Sequence, residues 1–148
     1  NKFMSDKYQS ADLILKLYEM RREEKMREAR NWFLMFFPEN GQDVMKALVS
    51  PESSANYRMV SSYWDMAASF VNNGAIDEEM FNDASGESVM VFSKIQPYLA
   101  EMRTMMDNPN YLKHLETLIM RKPDAETLLA SRREMMKKMM QARAEIKG

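Results

Sequence analysis

Apolar residues recur along most of the chain at spacings of three and four, which is the period of a helix with one face on a core. The pattern is clearest over residues 53–72. One stripe of this segment consists of Tyr57, Val60, Trp64, Ala67 and Val71. A second stripe lies beside it and consists of Met59, Tyr63, Met66 and Phe70. Because the two stripes together cover a wide arc, they predict a central helix with neighbours on two sides.

Capping and helix-breaking residues predict further helices on either side of this one. The first is expected to begin near Ser5 or Ser10 and to continue as one long helix to about Phe36, because Pro38 disfavours helix at the residue before it. We interpret the charged run at 21–28 as an exposed turn of that helix. Further helices are expected over 42–49, from Asp77 onward, and over 86–106, 108–121 and 124–146.

Two details of these segments are specific. Pro97 lies inside the segment 86–106 and cannot donate to the carbonyl of Ser93, so a kink is expected there. Ser85 and Asn108 are expected to cap the helices that follow them. The chain shows no alternating strand pattern and no internal repeat. The sequence therefore predicts a single all-α domain over residues 1–148, a bundle of six to seven helices with long N- and C-terminal helices.

Composition narrows the function classes. Methionine occurs 17 times and cysteine is absent. Methionine fills irregular gaps in helical cores and also forms adaptable binding surfaces, and the sequence does not choose between these roles. Without cysteine there are no disulfides, thiolate zinc sites or cysteine nucleophiles. The longest apolar run, 32–37, is far shorter than the roughly 20 residues that cross a bilayer. A cytoplasmic location is favoured, and because the sequence starts at Asn1 and not at Met, a membrane tether ahead of it stays open.

Residues that carry chemistry are sparse in this sequence. The chain has one histidine, His114, and Tyr111 stands where the glutamate of a Glu-x-x-His metal motif would be. Four glycines cannot build a glycine-rich phosphate loop. We interpret the acidic group at 77–79 as a helix start, where negative charge suits the helix dipole. We therefore predict no catalytic residue, no metal site and no cofactor.

The last segment, residues 124–148, differs from the rest in charge. Residues 120–148 hold 8 Lys and Arg against 4 Asp and Glu, whereas residues 1–119 hold 13 against 18. Such a basic amphipathic helix can pack on its own domain, form a dimer or partner interface, or contact a membrane. Nucleic acid is disfavoured because the segment has no aromatic residue for base stacking. The predicted partner-binding residues are Arg132, Arg133, Met135, Met136, Lys137, Lys138, Met139 and Met140.

Three segments of the chain carry a resemblance to a known family. They are the sequence Glu-Ala-Arg-Asn-Trp-Phe at 28–33, the segment 63–77 with its Asn-Asn-Gly-Ala-Ile-Asp end, and the segment 96–103 that begins Gln-Pro-Tyr. Over roughly residues 10–120 the chain resembles an uncharacterised family of bacterial helical proteins. The resemblance implies an all-α domain, often behind an N-terminal membrane anchor, with no established activity. Since its motifs are helix-packing patterns, no functional residue is carried over.

The function that these observations favour is a non-enzymatic interaction or scaffold domain. We expect it to bind a protein partner, or itself, through the first helix and the methionine-rich tail. One alternative is a small-molecule-binding or enzymatic domain with a pocket between helices. The pocket residues expected in that case are Arg58, Tyr63, Trp64 and Arg103. A third hypothesis is association with a membrane surface through the basic tail.

Overall fold

Capping residues and backbone breaks divide the described part of the chain, residues 6–147 of a computed structural model, into nine α-helices and one 3₁₀ turn. No strand is present within these residues, and the predicted all-α class is confirmed. The first five helices are α1 (Lys7–Arg21), α2 (Glu24–Leu34), α3 (Gly41–Val49), α4 (Ser54–Asn72) and α5 (Glu78–Ala84). The others are α6 (Glu87–Ile95), a 3₁₀ turn (Gln96–Tyr98), α7 (Leu99–Met106), α8 (Lys113–Met120) and α9 (Ala125–Lys147).

The prediction of one long first helix was wrong, because the chain turns at Glu23. This residue is extended, with φ −60° and ψ 143°, and its carboxylate accepts from the Met26 amide at 3.1 Å. The charged run is therefore a capped corner between α1 and α2. Glutamate is not among the preferred N-cap residues, which is why the sequence conceals this break.

The start of α1 also differs from the prediction. Asp6, and not Ser10, caps the helix, and Gln9 completes a capping box with it. Ser10 is buried, and its hydroxyl accepts from the Asp77 amide at 2.8 Å, so it joins α1 to the start of α5. Ser5 lies outside the described residues.

The central position predicted for the segment 53–72 is confirmed. Helix α4 packs against α2 on one side and α8 on the other, and it also contacts α3, α5 and α6. All five residues of its first stripe are buried. In the second stripe Tyr63 is buried, Met59 and Met66 are half-buried, and Phe70 is at the surface. The core of the molecule lies around this helix.

Pro97 divides the predicted helix 86–106, as expected. The 3₁₀ turn contains Pro97 and separates α6 from α7. The Ser93 carbonyl has no helical donor, because Pro97 has no N–H. It accepts instead from Arg133 Nη1 at 2.9 Å. The expected Ser85 cap is not formed, since no side chain caps α6 and Ser85 is buried.

The segment after Asn108 was predicted to be helical from its start, and this was wrong. Residues 109–112 form turns, and Leu112 has a left-handed backbone with φ 55°, so α8 begins only at Lys113. Arg103 Nε donates to the Tyr111 carbonyl at 2.9 Å and holds this turn against α7. A side-chain contact from the preceding helix therefore fixes a local conformation that propensity does not favour.

Helix α9 packs on its own domain along part of its length. It contacts α6 and α8, and the residues buried in this contact are Ala125, Leu129 and Met136. Residues 141–146 are all exposed. At 1.5 Å per residue, the exposed end extends about 9 Å along the helix axis. The tail thus contributes to the core at its start and lies in solvent at its end.

Candidate functional site

An apolar stripe on the exposed side of α9 is the first candidate site. Met135, Met139 and Ile146 are 42%, 51% and 87% exposed, and Ala142 between them is also exposed. Their spacing of four, three and four residues places them within an arc of about 60° on the helix. This is the spacing of one seam of a coiled coil, and all four of its residues are exposed.

The charged neighbours of this stripe have opposite signs. Lys138 and Glu145 lie seven residues apart on one flank, and Arg143 lies on the other. All three side chains are exposed. The flank that carries Lys138 and Glu145 is therefore self-complementary when two such helices run in opposite directions.

A basic cavity beside α9 is the second candidate site. It has a volume of about 480 Å³ and lies among the α2–α3 connection, α6, the 3₁₀ turn and α9. Its walls include apolar and aromatic groups and three cationic side chains. The lining residues are Phe37, Pro38, Glu39, Lys94, Pro97, Tyr98, Arg133 and Lys137.

Lys94 is the unusual group in this cavity. It is only 4% exposed, and its Nζ donates to the carbonyls of Phe33 and Leu34, each at 2.9 Å. The same nitrogen lies 4.1 Å from the centre of the Phe37 ring. No carboxylate among residues 6–147 forms an ion pair with it. Burial lowers the pKa of Lys94 to about 7, and the two carbonyls and the ring act against that change because they favour the charged form.

An apolar groove lined by methionine is the third candidate site. It has a volume of about 900 Å³ and lies between α4 and the corner of α1 and α2. Lys16, Glu19 and Glu23 lie on its polar border. The apolar residues that line it are Met20, Met26, Met59, Met66 and the ring of Tyr63. Four flexible thioether side chains make this surface adaptable in shape.

A charged cluster around Glu87 joins α1, α2, α4 and α6. The Glu87 carboxylate accepts from Arg30 Nη2 at 2.8 Å and from Trp64 Nε1 at 3.2 Å. The Arg21 guanidinium lies 3.5 Å from the same carboxylate and 5.3 Å from the centre of the Trp64 ring system. The hydrogen bond from Arg30 to Glu87 raises the pKa of Arg30 above its ordinary value. With donors on two sides, Glu87 is a structural link between helices.

The four pocket residues predicted from the sequence do not line one cavity. Arg58 is exposed and donates to the Ser54 hydroxyl. Tyr63 donates to the Leu17 carbonyl, and burial raises its pKa to about 12. Trp64 lies in the core beside Tyr63 and binds Glu87. Arg103 donates to the Tyr111 carbonyl and pairs with Glu116 at 3.0 Å.

The predicted partner-binding residues of the tail separate into three environments. Met136 is buried, and Arg132, Arg133 and Met140 are half-buried. Met135, Lys137, Lys138 and Met139 are exposed. Within this set, Arg133 and Lys137 face the basic cavity, whereas Met135 and Met139 belong to the exposed stripe.

Sequence reasoning missed Lys94, and the sequence does contain a signal for it. Lys94 lies in α6 between Phe92 and Ile95, which are both fully buried. A lysine flanked by core residues on an apolar helix indicates either a buried cation or a lysine that belongs to a binding site. Its hydrogen-bond acceptors lie at the C-terminal end of α2, about 60 residues earlier, and no local pattern predicts that contact.

Among residues 6–147 we find no group of three or more His, Asp or Glu placed to hold a metal ion. Within the same range, none of the helices combines the length and the apolar character that spanning a lipid bilayer requires.

Comparison with known proteins gives a family and no activity. No curated protein and no solved structure matches the chain. A family profile matches residues 8–121, from the second residue of α1 to just beyond the end of α8, and α9 lies beyond the match. The resemblance drawn from the sequence to an uncharacterised family is confirmed. The chain belongs to the family described as a domain of unknown function, DUF4760.

Proposed function

We propose that this domain is an interaction module that associates with a second copy of itself through α9. The observation that carries the proposal is the exposed stripe of Met135, Met139, Ala142 and Ile146. A soluble helix gains nothing from an apolar seam on its solvent face, whereas a paired helix buries it. The packing of Leu129 and Met136 on the domain holds the start of α9 rigid, so the stripe is presented in a fixed orientation.

Charge favours an antiparallel arrangement of the two helices. In that arrangement Met139 lies opposite Ala142 of the second copy, and Met135 lies opposite Ile146 of the second copy. Lys138 then lies near Glu145 of the second copy, and the pair occurs twice by symmetry. A parallel arrangement would place Lys138 near Arg143 of the second copy, where like charges repel. The area of such a short seam supports a weak, reversible dimer.

Charge reversal tests this arrangement directly. Lys138→Glu places two glutamates against each other at both ends of the seam, and Glu145→Lys does the same with two lysines. We expect each single reversal to weaken the dimer about tenfold, which corresponds to about 1.4 kcal/mol. The double variant, Lys138→Glu with Glu145→Lys, restores opposite charges and is expected to restore the dimer. Sedimentation equilibrium at several protein concentrations measures each dissociation constant.

Lys137→Glu is the matched control, since it makes the same change of charge one residue away, on the side of the helix opposite the stripe. An equal effect of Lys137→Glu and Lys138→Glu would overturn the proposal, and so would a monomer at every concentration. Dimerisation that ignores the charge reversals and is lost with Met59→Asp would show that the methionine groove, and not α9, is the interface. Binding to anionic vesicles by a monomeric protein would favour the membrane-surface alternative instead.

A further inference from the structure

The basic cavity holds more positive charge than its own residues neutralise. Lys94, Arg133 and Lys137 line it, and Glu39 is the one carboxylate among the lining residues. Lys137 also approaches Glu134 at 3.8 Å, at the surface of α9. A buried cation is costly unless it is paired, because it has left the water that solvated it. Lys94 has carbonyl acceptors, which satisfy two of its protons, but no carboxylate of the described residues lies within 4.0 Å of its Nζ.

A hydrogen bond to the backbone of α6 holds Arg133 at the edge of this cavity. Its Nη1 donates to the Ser93 carbonyl, which is available because Pro97 has no N–H to donate. Its Nε and Nη2 have no protein acceptor among the described residues. The guanidinium is thus oriented by one bond while two of its donor nitrogens remain open to a ligand.

The rest of the wall is apolar. Phe37, Pro38 and Pro97 supply carbon surface, and the Tyr98 hydroxyl donates to the Pro38 carbonyl at 3.2 Å. This bond fixes the Tyr98 ring at the wall. The volume of about 480 Å³ lies within the range of small-molecule sites. A ligand that fits these walls carries an anionic group on a compact apolar or aromatic body.

We infer that this cavity is a binding site for a small organic anion, with the anionic oxygens between Lys94, Arg133 and Lys137 and the apolar body against Phe37 and Tyr98. The site is separate from the stripe proposed for self-association. Lys137 faces the cavity and Lys138 flanks the stripe, so a change at one of them leaves the other surface intact.

The test uses three anionic probes: benzoate and phenyl phosphate, which carry an aromatic ring, and inorganic phosphate, which does not. Binding is followed by NMR, through the amide shifts of the protein and the ε-methylene signal of Lys94. We expect benzoate or phenyl phosphate to perturb residues of the cavity and to raise the pKa of Lys94, since an adjacent anion favours its charged form. Inorganic phosphate is expected to bind more weakly by about tenfold or more, because it leaves the apolar walls unused.

Two neighbouring lysines supply the matched variants. Lys137→Ala is expected to weaken binding of the organic probes about tenfold, and Lys138→Ala is expected to leave it unchanged. Lys94→Met is expected to abolish binding, and a circular dichroism spectrum checks that this variant is folded. Three results would overturn the inference: no probe binding at about 10 mM, equal effects of the two alanine variants, or equal affinity for inorganic phosphate and phenyl phosphate.

Discussion

Burial of Lys94 makes the stability of this protein depend on pH in a defined direction. The unfolded chain keeps this lysine protonated up to its ordinary pKa of 10.5, whereas the folded chain releases the proton near pH 7. Between these values the unfolded state binds more protons, so the free energy of unfolding rises with pH. Below about pH 7 both states are protonated, and the full cost of burying the charge is present.

The perturbation that isolates this effect is Lys94→Met, which keeps an unbranched side chain and removes the titrating group. One pKa unit corresponds to about 1.4 kcal/mol, so a folded-state pKa of about 7 corresponds to a cost on the order of 5 kcal/mol at low pH. From pH 7 to pH 9 we expect wild type to gain about 2 kcal/mol of stability relative to the variant. The comparison is made between pH values because the variant also loses the bonds to Phe33 and Leu34, a loss that does not change with pH.

Urea unfolding followed by circular dichroism at pH 6, 7, 8 and 9 measures the difference. Glu39, Tyr98, Arg133 and Lys137 line the same cavity and are present in both proteins, so the comparison isolates the change at Lys94. Lys113→Met, at an exposed position on α8, is the control for loss of a positive charge. Parallel stability curves for wild type and Lys94→Met across this range would refute the reasoning, since they would mean that the lysine titrates alike in both states.

Three further substitutions test the packing that positions the candidate sites, each measured by urea unfolding. Glu87→Gln leaves the half-buried Arg21 and Arg30 without their counter-charge and is expected to cost about 3 kcal/mol, and a loss below about 1 kcal/mol would show that the cluster is solvated. Leu129→Ala is expected to cost about 3 kcal/mol of stability because Leu129 is buried, whereas Met139→Ala is expected to cost less than about 0.5 kcal/mol because Met139 is exposed. Similar costs for the two variants would contradict this assignment of the buried and exposed faces of α9. Tyr57→Phe removes the 2.6 Å hydrogen bond to Tyr111 and is expected to cost about 1 kcal/mol, whereas a gain in stability would show that this buried bond is not favourable.

The α9 helix shows why one amphipathic pattern has two outcomes. The sequence places Leu129 and Met136 on one face and Met135, Met139 and Ile146 on the next. Both faces are apolar, so periodicity alone cannot say which one is buried. The position of α6 and α8 decides that the first face is core and the second is exposed. An apolar stripe that faces solvent bears on function, whereas the apolar pattern in the sequence could equally have belonged to the core.

The corner at Glu23 and the turn at 109–112 show a second limit. In both places the local sequence permits helix, and side-chain hydrogen bonds to single backbone groups select another conformation. The Glu23 carboxylate accepts from the Met26 amide, and Arg103, on the preceding helix, donates to the Tyr111 carbonyl. These contacts act on single residues, and single-residue effects on backbone conformation do not appear in a hydrophobic period.

The sequence by itself determined the all-α class, the central place of α4, the interruption at Pro97 and the acidic helix start at Asp77. These follow from helical periodicity and from the backbone chemistry of a few residue types, which act over three or four positions. Only the tertiary structure decided that Lys94 is buried, that Arg133 and Lys137 share its cavity, and that Met135 and Met139 face solvent. The burial and the charge environment of a residue depend on which helices pack together. These long-range contacts cannot be predicted from any one segment of the chain.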